Sequence, residues 1–275
     1  MDIPKGGLVG KTVHFVRYVS GLRISVYAAS ASFFMVLAMF PTLLLLLGLL
    51  RYTGMDVESL TGLLEGFLPK ALVPNARQLI GNAYRNSTGA LLSLSAVTAL
   101  WSAGRGLYGL LQGLNRVYEV EETRGYLATR WLSIRYTIGF LVVLVLTLVL
   151  QVFRHLFEGL AARGFLGWLL TEVIDLRFFV LLGVQTFLFA AMFVVLPDRD
   201  NTFRHSLPGA VVASLGWMMF SKLYSIYVQY FSSYANVYGS VYAVALSMLW
   251  LYCCVNILFY GGMLNKFLEN VKNWK

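Results

Sequence analysis

The apolar positions of this chain fall into six long runs, approximately Ile24–Leu50, Gly89–Leu114, Ile134–Phe153, Leu176–Leu196, Ser206–Val228 and Gly239–Leu264. A helix of about 20 apolar residues crosses a hydrocarbon core about 30 Å thick, so each run predicts a membrane span. The third is the most uniform, with only Thr147 polar between Ile138 and Leu150. The second and fifth each carry a cation well inside, Arg105 and Lys222. Pro41 lies within the first run, where it cannot donate to the carbonyl of Leu37 and predicts a kink. Between the first two runs, apolar residues recur at positions 57, 60, 63, 64, 67 and 68, the spacing of an amphipathic helix. Pro69 and Pro74 close it, and positions 76–84 predict a second, polar helix.

The expected fold class is therefore all-α, a polytopic membrane helix bundle of six transmembrane helices with a helical extracytoplasmic hairpin between the first two. All of 1–275 reads as a single membrane domain. Its parts outside the bundle are an N-terminal segment 1–23, the loop 51–88 and a tail 265–275.

Composition supports a bilayer over water. Hydrophobic residues make up 58% and charged residues 13% of the 275, whereas an ordinary soluble domain carries about 25% charge to cover its surface. The distribution of charge adds an orientation. Thirteen of the 22 Lys and Arg flank the side holding both termini, residues 115–135 and residues 197–205, and seven flank the other. The positive-inside rule then places both termini in the cytoplasm. The net charge of +9 is dispersed among these short connections. A nucleic-acid surface would gather it on one face, so no nucleic-acid partner is expected.

The second run carries the most chemical information. At about 100° per residue, Trp101, Arg105, Tyr108, Gln112, Asn115 and Glu119 share one arc. Ser95, Ser102, Gly106, Gly109 and Gly113 share another. Small residues let helix backbones approach closely in lipid, and polar ones must face protein or water. This helix is thus expected to pack tightly on one side and to line a substrate path on the other. Arg105 lies roughly 24 Å in from Gly89, close enough to the far interface for its side chain to snorkel. Snorkelling and substrate contact both remain open for it. Asn115→Ala is expected to weaken any activity that runs along this path while leaving expression intact.

In the last run Ser240, Ser247, Cys254 and Gly261 recur every seventh residue, a packing seam, and Asn256 with Tyr260 offers one interhelical hydrogen bond. The adjacent Cys253 and Cys254 diverge on a helix and make a poor disulfide pair. His14, His155 and His205 share no metal or triad spacing, and no phosphate loop or dinucleotide fingerprint is present. No catalytic residue, cofactor or metal is expected.

Several segments in this order resemble the YihY/BrkB-like membrane proteins, a family once labelled ribonuclease BN. They are Ser32-Phe33-Phe34 with Phe40-Pro41; Leu100-Trp101-Ser102-Ala103-Gly104-Arg105-Gly106 running to Leu114-Asn115-Arg116-Val117-Tyr118 and Glu121-Glu122-Thr123-Arg124; Leu196-Pro197-Asp198-Arg199 with Phe203-Arg204-His205-Ser206-Leu207-Pro208-Gly209-Ala210; and Tyr238-Gly239-Ser240 leading to Leu249-Trp250-Leu251-Tyr252. The resemblance implies a six-helix inner-membrane protein linked to virulence or to export of lipids or solutes, with no catalytic residue to carry over. The motif positions it adds as candidates are Tyr118, Glu121, Arg124, Arg204, Pro208 and Gly239.

Three function classes follow. The first is a transporter or flippase for an anionic or amphiphilic substrate, with the lipid bilayer and a lipid or small anion as partners. The second is a membrane scaffold that binds a partner in the bilayer, with oligomer formation left open. The third, a tRNA-processing ribonuclease, needs a carboxylate or histidine cluster that the sequence does not provide.

Overall fold

The computed structural model describes residues 21–50, 81, 88–125, 128–129, 131–136, 138, 182–230 and 235–272. Its main elements are helices: α1 (Ile24–Leu50), α2 (Gly89–Tyr118), α3 (Leu182–Val195), α4 (Phe203–Tyr230) and α5 (Ala235–Lys272). No strand occurs among the described residues. Most of the expected span Ile134–Phe153, the hairpin within 51–88 apart from residues 81 and 88, and the first 20 residues lie outside them.

Among the described residues, three stretches are long and apolar enough to cross a membrane: Ile24–Thr42, Phe203–Val228 and Val244–Asn270. Helix α2 has the length of a span at 30 residues, but its Arg105, Arg116 and many small residues keep it below that apolar level. Helix α1 matches its predicted bounds and runs through Pro41. Helices α2, α4 and α5 each extend past their apolar runs, because a helix ends where capping groups stop it and hydrophobicity alone does not.

The chain divides into two compact units. One comprises Met1–Phe33, Gly106–Trp131 and Thr171–Lys275, and the other Phe34–Arg105 and Leu132–Leu170. Helices α1 and α2 therefore contribute residues to both.

In the first unit the core contains Leu111, Leu114 and Val117 of α2, Phe193 of α3, and Cys254, Val255, Leu258 and Phe259 of α5. Ile24, Ala28, Ala31 and Ser32 of α1, spaced as one helical face, are buried as well. Helices in lipid gain little from hydrophobic burial against one another, so close backbone approach has to supply the attraction. Small residues provide it at three crossings. A Cβ on Gly109 would sit 3.0–3.1 Å from the backbone and Cβ of Ala31, and one on Gly113 would overlap the ring of Phe259. At the third, Gly209 of α4 meets Gly261 of α5, where a Cβ on Gly261 would lie 2.6 Å from the Gly209 carbonyl oxygen. Leu110, on a different arc from the glycines, is also buried, so the buried surface of α2 is broader than its small-residue stripe.

Further along, α4 and α5 are joined by aromatic and polar contacts. Trp217 packs edge-on against Trp250 at 5.7 Å and against Phe189 of α3 at 5.4 Å. The Trp250 indole donates to Ser221 Oγ (3.1 Å), and the Tyr224 hydroxyl donates to the Leu246 carbonyl (2.8 Å). Asn256 donates to the Tyr252 carbonyl of its own helix (2.8 Å), while Tyr260 is exposed.

Candidate functional site

The polar residues of the first unit concentrate where α2, α3 and α5 end and α4 begins. Helix α2 stops at a Schellman motif: Val120 N–H donates to the Asn115 carbonyl (2.9 Å) and Glu119 N–H to the Arg116 carbonyl (3.2 Å). Glu119 takes the left-handed conformation usual for glycine there, with φ of 55°. Its carboxylate pairs with Lys266 of α5 at 2.6 Å.

The chain after this turn is held to the segment following α3. Asn115 is buried, accepts a hydrogen bond from Asp198 N–H (2.8 Å), and donates to Glu122 Oε2 (2.7 Å). Arg124 grips Glu122 with two nitrogens (2.6 and 2.9 Å) and donates to the Leu196 carbonyl (2.9 Å). Its Nε also lies 3.4 Å from Asp198 Oδ1. Asp198 accepts from both the hydroxyl (2.6 Å) and the N–H (2.7 Å) of Thr123. These Thr123 bonds, reinforced by the Arg124 charge, hold the Asp198 carboxyl below the usual carboxylate range.

A group with a depressed folded pKa stabilises the fold above its unfolded pKa, and the contribution is lost as the pH falls through the folded value. Thr123→Val removes the hydroxyl bond and keeps the N–H bond. In detergent, Thr123→Val should melt lower than the parent at pH 7, with the gap narrowing as the pH falls toward 3. A gap that stays constant from pH 7 to pH 3 would remove the Asp198 charge from the stability of this connection.

A second group lies beside the first turn of α4. Pro208 has no N–H to offer the Arg204 carbonyl, so the helical ladder is interrupted there. The buried Asn265 of α5 bridges the same stretch: its Oδ1 accepts from Gly209 N–H (2.7 Å) and its Nδ2 donates to the Ser206 carbonyl (3.0 Å). Arg199 Nη2 donates to both oxygens of Glu269 (2.8 and 2.7 Å), and the guanidinium lies 4.9 Å over the Tyr118 ring. Burial pushes the Tyr118 hydroxyl up to about 12. Tyr118, Arg199, His205, Ser206 and Asn265 are among the residues that line a small open cleft of about 50 Å³.

The candidates named from sequence therefore fall into separate arrangements. Trp101 and Arg105 belong to the second unit, where the Arg105 guanidinium lies 5.7 Å from the Phe34 ring and 5.8 Å from the Trp101 ring. Those rings meet edge to face at 6.1 Å, and both Trp101 and Arg105 are exposed. In the first unit Gln112 donates to the Tyr108 hydroxyl (2.9 Å), and Asn115 is absorbed into the loop network. Tyr118 lines the cleft and Arg124 ties two connections together, whereas Glu121, Arg204 and Pro208 are exposed. Gly239 is helical, and its surroundings lie outside the described residues. Sequence reasoning passed over Asn265, Glu269 and Asp198 as site residues. A carboxamide just past the end of the last apolar run gives no periodic signal, and its partners are 56 and 59 residues away. Among the described residues no three of His, Cys, Asp and Glu are grouped to hold a metal ion.

The family model described as "Virulence factor BrkB" matches residues 15–274, nearly the whole chain. The chain belongs to the virulence factor BrkB family. Among its relatives is the "Putative ribonuclease-like protein YfkH" of Bacillus subtilis, 31% identical over 89% of this chain and 90% of that one. Another is the "UPF0761 membrane protein VV0203" of Vibrio vulnificus, 23% identical over 96% of this chain and 85% of that one. No solved structure matches the chain. With three membrane-length apolar helices, this BrkB-family chain is an integral membrane protein.

Proposed function

We propose that this BrkB-family protein is a transporter or flippase of an anionic or amphiphilic substrate, lying in the bacterial inner membrane as six spans with both termini cytoplasmic. The observation that carries the reading is Arg105. It is an exposed cation within a span-length helix, lying beside the paired rings of Phe34 and Trp101, and no carboxylate among the described residues pairs with it. Charged groups at membrane depth are costly, and they persist where they meet water, a counter-charge or a substrate. An arginine laid against aromatic faces keeps its planar donor fork directed sideways, ready for a phosphate or carboxylate. The pair of apolar rings beside it suits the hydrocarbon portion of an amphiphile. The lopsided distribution of Lys and Arg supports the orientation.

The test is flux in proteoliposomes at matched protein density, with fluorescent anionic and zwitterionic lipids and with small organic anions. The wild-type protein is expected to move an anionic species faster than protein-free vesicles do. Arg105→Leu should remove that flux, and Arg105→Lys should reduce it about tenfold or more, since an ammonium cannot make paired bonds to an oxyanion. Both variants should keep the wild-type melting temperature. Undiminished flux in Arg105→Leu would show that the cation merely reaches the interface. The partner-binding scaffold would then be the better account.

A further inference from the structure

We propose that Arg105 sits at the middle of the membrane, and that the face of α2 carrying it is wetted from the Arg116 end, a route by which a small dissolved anion reaches the guanidinium. The inference rests on the transport reading of Arg105 and adds its depth and its access. Two helices give the depth. On α2, Arg105 comes 11 residues before the exposed Arg116, a rise of about 16 Å. On α1, the guanidinium lies beside Phe34, 11 residues past Arg23 at the cationic edge of the apolar stretch Ile24–Thr42, again about 16 Å. The centre of a hydrocarbon core about 30 Å thick is about 15 Å from either surface. That is about twice the reach of an extended arginine side chain. A core counted from Gly89 ends about 6 Å past Arg105, but α2 runs on to Tyr118, and its ion pair with α5 comes only at Glu119. The guanidinium also leans the wrong way for snorkelling, resting near Trp101, one turn back toward the start of α2.

A charge at that depth is costly against hydrocarbon and persists where water or a counter-charge meets it. Among the described residues the exposed Arg105 guanidinium has two ring neighbours, no hydrogen-bond acceptor and no carboxylate. Water and a dissolved anion supply what those residues do not. The rest of the same helical face says from which end they come. Toward Arg116 it carries Tyr108 and Gln112, half-buried and bonded to each other at 2.9 Å, which leaves the Tyr108 O–H and the Gln112 Oε1 for water. Toward Gly89 it carries the exposed Trp101 and Leu94, and the Thr98 hydroxyl is turned back onto the Leu94 carbonyl of its own helix (2.8 Å). The face is therefore polar on the Arg116 side of Arg105 and apolar on the other.

The experiment is thiol labelling of the full-length protein in phosphatidylcholine vesicles, whose surface carries no net charge. Membrane-impermeant methanethiosulfonates bearing a sulfonate or a trimethylammonium are supplied on both faces. Intact mass counts the adducts gained over the parent chain, which keeps its native Cys253 and Cys254. Arg105→Cys and Gln112→Cys are each expected to gain one adduct. Leu215→Cys, an exposed apolar position 12 residues into α4, is expected to gain none. With Arg105 in place, the sulfonate should modify Gln112→Cys faster than the trimethylammonium does. Adding Arg105→Leu should cut that preference about three- to tenfold, as expected for a unit charge about 10 Å away. Should Arg105→Cys fail to fold, this preference decides the matter. No adduct at position 105 in a folded protein would overturn the proposal. So would an adduct at 105 with none at 112, equal labelling of Leu215→Cys, or a charge preference that Arg105→Leu leaves unchanged. Labelling needs no transport, so the expected adducts without flux would remove the transport reading and leave the wetted site standing, and flux without adducts would do the reverse.

Discussion

Gly209→Val is expected to lower the melting temperature by roughly 6–20 °C or to stop the protein accumulating in membranes at all. A Cβ at this position would overlap the Gly261 carbonyl oxygen and the Asn265 amide. Backbone cannot rotate aside as a flexible side chain does, so α4 and α5 would have to separate. Overpacking of this kind costs typically 1–3 kcal/mol. Separation would also break the Asn265 bonds to Gly209 N–H and the Ser206 carbonyl, leaving buried polar groups unsatisfied at about 1–3 kcal/mol each. The total, about 3–9 kcal/mol, is a large fraction of the stability of an ordinary domain. Gly183→Ala is the control. Nothing lies within 4 Å of a Cβ there, and alanine is the better helix former, so that variant should melt at or slightly above the wild-type temperature. Wild-type melting of Gly209→Val would mean that the two helices do not meet at this glycine pair.

Asn115→Ala should lose about 2–3 kcal/mol of stability and express at a reduced level. From sequence alone Asn115 continues the polar stripe of α2, and its loss is expected to affect activity only. Its carboxamide instead joins the last turn of α2 to the Asp198 backbone and to Glu122. Truncation leaves the Asp198 N–H without an acceptor and Glu122 with Arg124 alone. Asn115→Asp separates the two bonds. It retains the acceptor for Asp198 N–H but sets a second carboxylate against Glu122, so it should be the less stable variant at pH 7 and recover as the pH approaches the carboxylate range. Melting curves of both variants at pH 7 and pH 5 decide the matter. If Asn115→Ala melts like wild type while flux falls, the residue belongs to the substrate path and its bonds to the connections carry little weight.

The sequence by itself determined the class, the helical architecture and the family. All three rest on quantities that are local in the chain. The length and composition of Ile24–Leu50 make a membrane helix wherever its neighbours lie, and the order of motifs around Trp101, Tyr118 and Pro208 identifies the family without any contact being known. Gly109 and Gly113 were legible as a packing face for the same reason, since helical periodicity alone aligns them. What the tertiary structure decided is which polar groups meet. The arc from Trp101 to Asn115 is continuous by periodicity, yet its members are shared among an aromatic stack, a Tyr108–Gln112 bond and a loop clamp. Asn265 with Gly209, Arg199 with Glu269 and Asn115 with Asp198 are separated by 56, 70 and 83 residues. No periodicity reaches across such distances. A hydrogen bond requires its two atoms within about 3 Å, and only the packing of several helix ends together fixes a separation that small.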